Sequence, residues 1–258
     1  MFNSAEHYDR HVGRYNAELA RALISFAGVR PGQRALDVGC GPGALTRELA
    51  TLLGQDHVAA VDPSPPFAEA CRARLPGVDV RLASAEELPF ADATFDHALA
   101  QLVVNFMADA PAGVTEMRRV TRPGGHVSAA TWDYAGEMTF IRRFFDAASA
   151  IDPRAAAVDE AVTMRYCKPD ELHDLLASTG LVEIAISSAV PHAVYANFDD
   201  LWEPITGGIG PSGVYVRSLD EQAQRVLKDA YRALLGVGDA PFELTARAWL
   251  ACGVVPRA

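Results

Sequence analysis

The sequence predicts an α/β protein: an open, mostly parallel sheet with helices on both faces and an inserted, largely helical lid. Three observations carry this. Short apolar runs alternate with stretches of helical periodicity through residues 30–132. The first run feeds a glycine cluster, Gly39-Cys40-Gly41-Pro42-Gly43. After Trp132 the alternation breaks and aromatic-rich segments of helical spacing take over.

Taken in order, Leu19, Ala22, Leu23 and Phe26 fall at helical spacing, and Gly28 stops that helix before a turn over Val29-Arg30-Pro31-Gly32. Arg34 to Val38 is a short apolar strand. Ala44 to Leu53 is a helix with Leu45, Leu49 and Leu52 on one face, ended by Gly54. Val58 to Val61 is a strand ending at Asp62, Phe67 to Leu75 a helix closed by Pro76-Gly77, and Val78 to Leu82 a strand. A loop follows, and Phe95 to Leu102 reads as a strand buried on both faces. Asp109 caps a helix through Met117 and Val120, Arg122-Pro123-Gly124-Gly125 is a turn, and Val127 to Trp132 is the fifth strand.

Residues 137–168 read as mainly helical, with a break at Pro153, and Pro169 begins a helix running to Gly180. Leu181 to Ile186 is a strand, 191–217 is irregular, and Leu219 to Leu235 is helical. Phe242 to Cys252 is a final strand pairing with the one before it near the sheet edge. The reading is one domain over 1–258, with a helical cover over 1–28 and lid or substrate-site insertions at 133–168 and 191–240.

Composition bounds the function. With 258 residues, half of them hydrophobic and 22% charged, the chain can bury a substantial core. A net charge of −10 disfavours nucleic acid as partner and a polybasic membrane anchor. The opening Met1 to His7 lacks the pattern of a secretory signal, and the apolar stretch 98–108 is too short to span a bilayer. Cys40, Cys71, Cys167 and Cys252 are scattered without metal-ligand or disulfide spacing, so the expectation is a cytoplasmic protein with reduced thiols and no metal site.

The chemistry concentrates at 36–43, between a strand and a helix. Glycines there let the backbone turn tightly and let a ligand approach it. The spacing is GxGxG rather than the GxGxxG of dinucleotide folds, and Asp37 stands where such folds carry an apolar residue. Its carboxylate would repel a pyrophosphate and attract an ammonium. Asp62, at the end of the second strand, can accept hydrogen bonds from the ribose hydroxyls of an adenosine.

The glycine motif, Asp62, Ser84-Ala85-Glu86-Glu87-Leu88-Pro89-Phe90, Phe95-Asp96 and Arg122-Pro123-Gly124-Gly125 together resemble the class I S-adenosylmethionine (SAM) dependent methyltransferases, in particular the branch similar to ubiquinone/menaquinone-biosynthesis enzymes. The resemblance spans about two-fifths of the chain, the extent of one nucleotide-binding core. It implies a Rossmann-like, seven-stranded sheet whose last strand is antiparallel, with SAM as cofactor and S-adenosylhomocysteine as product. It further implies that Gly39, Cys40 and Gly41 line the methionine part with Asp37 nearby, and that Asp62 holds the ribose with Pro63 beside the adenine. Ser84 and Ala85 would contact the adenine, Ala85 through its N–H, and Gln101 would face the methionine tail or the acceptor. One departure is Ser84, where the family carries Asp; a neutral hydroxyl makes a weaker bond, by something on the order of 1 kcal/mol.

No acid, base or catalytic triad is assigned. Methyl transfer from a sulfonium needs an aligned acceptor and excluded water, and a base only if the acceptor must lose a proton. His192 and Tyr195 are candidates for that task, with a solvated loop histidine the commoner reading. Phe140, Phe144 and Phe145 read as core, and Gly207-Gly208-Ile209-Gly210-Pro211 as a lid hinge. His7, Tyr8, His11, Arg14 and Tyr15 read as a surface helix, with Tyr8 or Tyr15 able to cover the methionine part. The function expected is methylation of a small hydrophobic or amphipathic molecule. The alternatives are an RNA or protein methyltransferase, a non-catalytic SAM-binding regulator, and a nicotinamide-dependent oxidoreductase, the last disfavoured by Asp37 and the GxGxG spacing. Acceptor atom and oligomeric state are not legible.

Overall fold

The computed structural model describes residues 12–207 and 210–257. The chain divides into two compact units. One holds Asn16–Trp132, Arg165–Ala189 and the stretch from Ala248 onward; the other holds the described residues up to Tyr15, with Asp133–Met164 and Val190–Arg247.

The first unit is built on the sheet. In chain order it runs α1 (Asn16–Phe26), β1 (Ala35–Val38), α2 (Ala44–Leu53), β2 (Val58–Asp62), α3 (Pro65–Arg74), β3 (Asp79–Leu82), β4 (Phe95–Gln101), α4 (Ala110–Val120), β5 (Thr121–Trp132), α5 (Pro169–Ser178), β6 (Val182–Ala189) and β7 (Ala248–Val254). The strand order is β3-β2-β1-β4-β5-β7-β6. β1 to β5 are parallel, and β7 lies antiparallel between β5 and β6. The order reverses between β1 and β4, and in open α/β sheets ligands bind beyond the carboxyl ends of the strands at such a switch point.

Local chemistry explains the elements. β1 and β2 are buried along their whole length, as continuous apolar runs require. α3 begins at Pro65-Pro66, where a missing N–H costs nothing, and α4 begins at Asp109, whose carboxylate accepts the Ala112 N–H at 3.0 Å. The core forms where Leu36, Val38, Ala98 and Ala129 of the sheet meet Val114 and Met117 of α4 and Leu172 and Leu176 of α5. Each of the Leu, Val and Met side chains among them contributes roughly 1.5–3 kcal/mol on burial.

Four expectations change. Arg122-Pro123-Gly124-Gly125 is not a turn before β5 but a bulge inside it. Phe95 pairs with Thr121 and His97 with His126, so the extra residues arch out of the ladder, helped by Gly124 at φ +78°. Gly125 is required there because a Cβ would lie 2.5 Å from the Asp96 carbonyl oxygen.

The predicted strand over 242–252 divides at Ala246-Arg247. Phe242–Thr245 pairs with His192–Tyr195 in a two-stranded sheet of the second unit, whereas β7 pairs with β6 as expected but sits inside the sheet, leaving β6 at the edge.

The described residues of 191–217 form regular elements instead of an irregular stretch: after the strand His192–Tyr195 come helices Phe198–Thr206 and Gly210–Ser218. Asn197 caps the first by accepting the Asp200 N–H. An aromatic core then outweighs the glycine content, with Phe198 and Phe144 both packed edge-on to Tyr231.

The second unit also contains helices Thr139–Ile151 and Glu221–Leu235. Phe140, Phe144 and Phe145 are fully buried in it, as the core reading expects. Tyr15 is no surface residue: it is fully buried, stacks on Phe140 and lies 3.1 Å, hydroxyl to hydroxyl, from Tyr195. Arg14 pairs with Asp200 at 2.9 Å. His7, Tyr8, His11, Gly208 and Ile209 lie outside the described residues. Among the described residues no helix is long and apolar enough to cross a membrane.

Candidate functional site

The residues singled out in the sequence meet at the carboxyl ends of β1, β2 and β4. β1 delivers Asp37, then turns through Gly39 at φ +72°, Gly41 at φ +53° and Gly43 at φ +95° into α2. The loop is anchored on β2, since the Gly39 and Cys40 N–H groups both donate to the Val61 carbonyl, at 2.8 and 2.9 Å. Two of the glycines serve different ends. A Cβ on Gly39 would stand 2.5 Å from a methyl of Val103, so the β4 exit braces the loop there. A Cβ on Gly41 would meet nothing within 4 Å: the space beside that backbone is open.

Asp62, at the end of β2, accepts the Gly41 N–H on one carboxylate oxygen and the Ser64 N–H on the other, each at 2.8 Å. It is 5% exposed, and burial raises its pKa against the pull of those two amides. Asp37 is 1% exposed. Its Oδ2 accepts the Thr46 hydroxyl at 2.6 Å, while its Oδ1 is buried with no hydrogen-bond partner. Burial first, opposed by the Thr46 bond, and then the neighbouring Asp62 charge push the Asp37 carboxyl up to about 7.

Cys40 is buried in the loop with its thiol against that of Cys71 on α3, and contact with Cys71, burial and the two carboxylates raise its pKa. Gln101 ends β4; its Nε2 donates to the Asn16 carbonyl at 3.2 Å, and its Oε1 is buried without a partner. The following residue, Leu102, adopts φ +62°, a strained conformation that turns the chain sharply out of the strand. The Ala83 N–H donates to the Asp62 carbonyl, which brings the Ser84-Ala85 segment alongside; Ala85 is buried, Ser84 half-buried and Pro63 exposed.

The acceptor set suits a ligand with an ammonium and hydroxyl groups. Asp37 Oδ1 and Gln101 Oε1 are buried acceptors awaiting donors, and the open space at Gly41 admits close approach to the backbone. Two neighbouring buried carboxylates oppose a pyrophosphate. Among the described residues no group of three or more His, Cys, Asp or Glu is arranged to hold a metal.

Sequence reading missed Thr46, Val103 and Leu102. Thr46 had a signal: it is the polar residue on the buried face of α2 that also carries Leu49, Ala50 and Leu53. Val103 and the Leu102 conformation had none, because both depend on how β4 leaves the sheet. In the second unit, Tyr195 is buried, bonded to Tyr15 and raised to about 12 by burial, which disfavours it as a base near neutrality. His192 is exposed.

Residues 36–129 match a family described as a methyltransferase domain. A malonyl-[acyl-carrier protein] O-methyltransferase from Halorhodospira halophila is 31% identical over 200 residues, which cover 67% of each chain. This chain belongs to the class I SAM-dependent methyltransferases. A demethylmenaquinone methyltransferase from Beutenbergia cavernae is 38% identical to it over 110 residues, 43% of this chain and 45% of the relative. The methyltransferase spans about half the length of the first curated relatives it matches. Its fold is that of Haemonchus contortus phosphoethanolamine N-methyltransferase 2 in complex with phosphomonomethylethanolamine and S-adenosylhomocysteine. That similarity has a TM-score of 0.60 at 16% identity and covers 98% of this chain and 57% of that one. The family and the seven-stranded fold thus agree with the resemblance carried by the motifs.

Proposed function

We propose that this methyltransferase binds SAM at the carboxyl ends of β1, β2 and β4 and methylates a small hydrophobic or amphipathic acceptor. The observation that carries the cofactor reading is the buried, unpartnered Asp37 Oδ1 next to a loop whose Gly41 leaves open space beside its backbone. Asp37 would take the ammonium of the methionine part, with Gly39, Cys40 and Gly41 along it. Asp62 has spare lone pairs on both oxygens for the ribose hydroxyls. Pro63, Ser84 and Ala85 would border the adenine, and Gln101 Oε1 would meet the amino-acid end or the acceptor.

When bound, SAM supplies an electrophilic methyl group on a sulfonium. The chain's task is then to orient and to desolvate. Asp37 and Asp62 are buried acceptors fixed by Thr46, Gly41 and Ser64 before any ligand arrives, so little reorganisation is needed. The helices of the second unit, with their aromatic core, are proposed as the lid or acceptor-side insertion.

For the acceptor, the relatives' names offer two chemistries: a malonyl group on an acyl-carrier protein and a demethylated quinone. The quinone supports a hydrophobic or amphipathic acceptor, whereas the malonyl group is a short acidic unit carried on a protein; the −10 charge opposes RNA.

Calorimetric titration with SAM, S-adenosylhomocysteine and NADH, alongside Asp62→Ala, tests the cofactor reading. Micromolar binding of the first two, lost in the variant and absent for NADH, is expected. NADH binding alone would move the chain to the oxidoreductases. A screen of free quinones, phenols and fatty acids against carrier-protein thioesters then separates the acceptor classes.

A further inference from the structure

We propose that Thr46 is a positioning residue that holds Asp37 ready for the amino-acid end of the cofactor and makes binding of that end depend on the Asp37 charge. The inference rests on the SAM reading above and concerns a residue outside the glycine motif.

The geometry is a short relay into the β1 carboxylate. The Thr46 hydroxyl, fully buried on α2, donates to Asp37 Oδ2 at 2.6 Å. A hydroxyl has a single proton, and its direction is fixed from behind: the Cys71 thiol on α3 donates to Thr46 Oγ1 at 3.8 Å, a long contact suited to sulfur. With Oδ2 occupied, Oδ1 is the carboxylate atom left buried without a partner. An unsatisfied buried acceptor is costly, and an ammonium is the donor that repays it best.

The charged and titratable groups facing Asp37 are Asp62 from β2, Cys40 from the loop and Cys71 from α3. None of them is cationic, and Asp62 repels. The Thr46 hydroxyl bond, with a smaller pull from the Thr46 backbone amide, is therefore the main contact favouring the ionised form of Asp37 without ligand; burial alone would carry the carboxyl above its value of about 7. Below that pH the site must release a proton before it can take an ammonium, so affinity for a ligand with an amino-acid end falls as pH drops. Removing the Thr46 hydroxyl moves that fall to higher pH.

The test compares two ligands on the full chain. S-adenosylhomocysteine carries the amino-acid end; 5′-methylthioadenosine lacks it. Thr46→Val is expected to weaken S-adenosylhomocysteine about tenfold at pH 8, the order expected for one hydrogen bond to a charged group, and to shift the pH below which affinity declines upward. Affinity for 5′-methylthioadenosine is expected to be unchanged, and Thr46→Ser should restore both affinity and pH profile. Equal weakening of both ligands would mean a merely structural role, and an unmoved pH profile would overturn the relay. If the wild-type chain binds neither ligand, the cofactor reading itself falls, and this inference with it.

Discussion

The Gly41 amide donates to the Asp62 carboxylate across 2.8 Å, joining the glycine loop after β1 to the end of β2. One carboxylate is thus both a latch for the loop and the proposed ribose acceptor. Asp62→Asn must turn its amide toward either Gly41 or Ser64, setting a donor against a donor. Expected are a loss of about 1–3 kcal/mol in urea unfolding and at least tenfold weaker S-adenosylhomocysteine binding by calorimetry. An intact stability with intact affinity would remove both roles.

Gly39 has no room for a methyl group. Gly39→Ala meets Val103 at 2.5 Å and also forces a non-glycine residue to φ +72°. Destabilisation of roughly 2–4 kcal/mol is expected from overpacking and backbone strain together. Val103→Ala in that background should recover the steric part and leave the backbone part, which a double-mutant cycle reads directly. Additive effects would show that the two positions do not touch.

Asp37 is held at a cost to the free protein. Its folded pKa is raised to about 7 from 3.8, so its contribution to stability is fully present below 3.8 and is lost as pH rises through 7. Asp37→Asn can accept from Thr46 and carries no charge. At pH 8 it should stabilise the ligand-free chain by something on the order of 2 kcal/mol while abolishing S-adenosylhomocysteine binding. Thermal melts at pH 5 and 8 check this; the gain should shrink at the lower pH.

His97 titrates in the opposite sense. It is buried, its Nε2 faces the Gln33 side-chain oxygen at 3.1 Å, and burial, with His126 stacked beside it, lowers its pKa to about 4. Between 6.5 and 4 the unfolded chain binds the extra proton, so stability falls as pH drops through that window. His97→Gln should flatten this part of the stability profile relative to wild type, by about 1–3 kcal/mol at pH 4.5. Parallel profiles in urea titrations would assign the acid sensitivity elsewhere.

Much of the fold and part of the site were legible because they depend on local chemistry. The apolar runs of β1 and β2, the Asp109 cap and the glycines 39–43 each declare their structure within a few residues. The motif order then gave the family. Less legible were features set by distant partners. The bulge at Gly124-Gly125 exists because β5 must pair with β4 around the Asp96 carbonyl. The helices of 198–218 form because Phe198, Tyr215 and Tyr231 gather into one aromatic core. Tyr15 reads as a surface residue until Phe140 and Tyr195 are seen against it.

The sequence by itself determined the parallel-sheet architecture, and its motifs carried the resemblance to the class I SAM-dependent methyltransferases, since strand periodicity, glycine spacing and motif order are properties of short segments. Only the tertiary structure decided which carboxylate atoms are already engaged. Thr46 takes Asp37 Oδ2, Gly41 and Ser64 take the oxygens of Asp62, and Asp37 Oδ1 is left over. Hydrogen bonds between residues nine and twenty-one positions apart follow from strand order and helix packing, which no local pattern encodes.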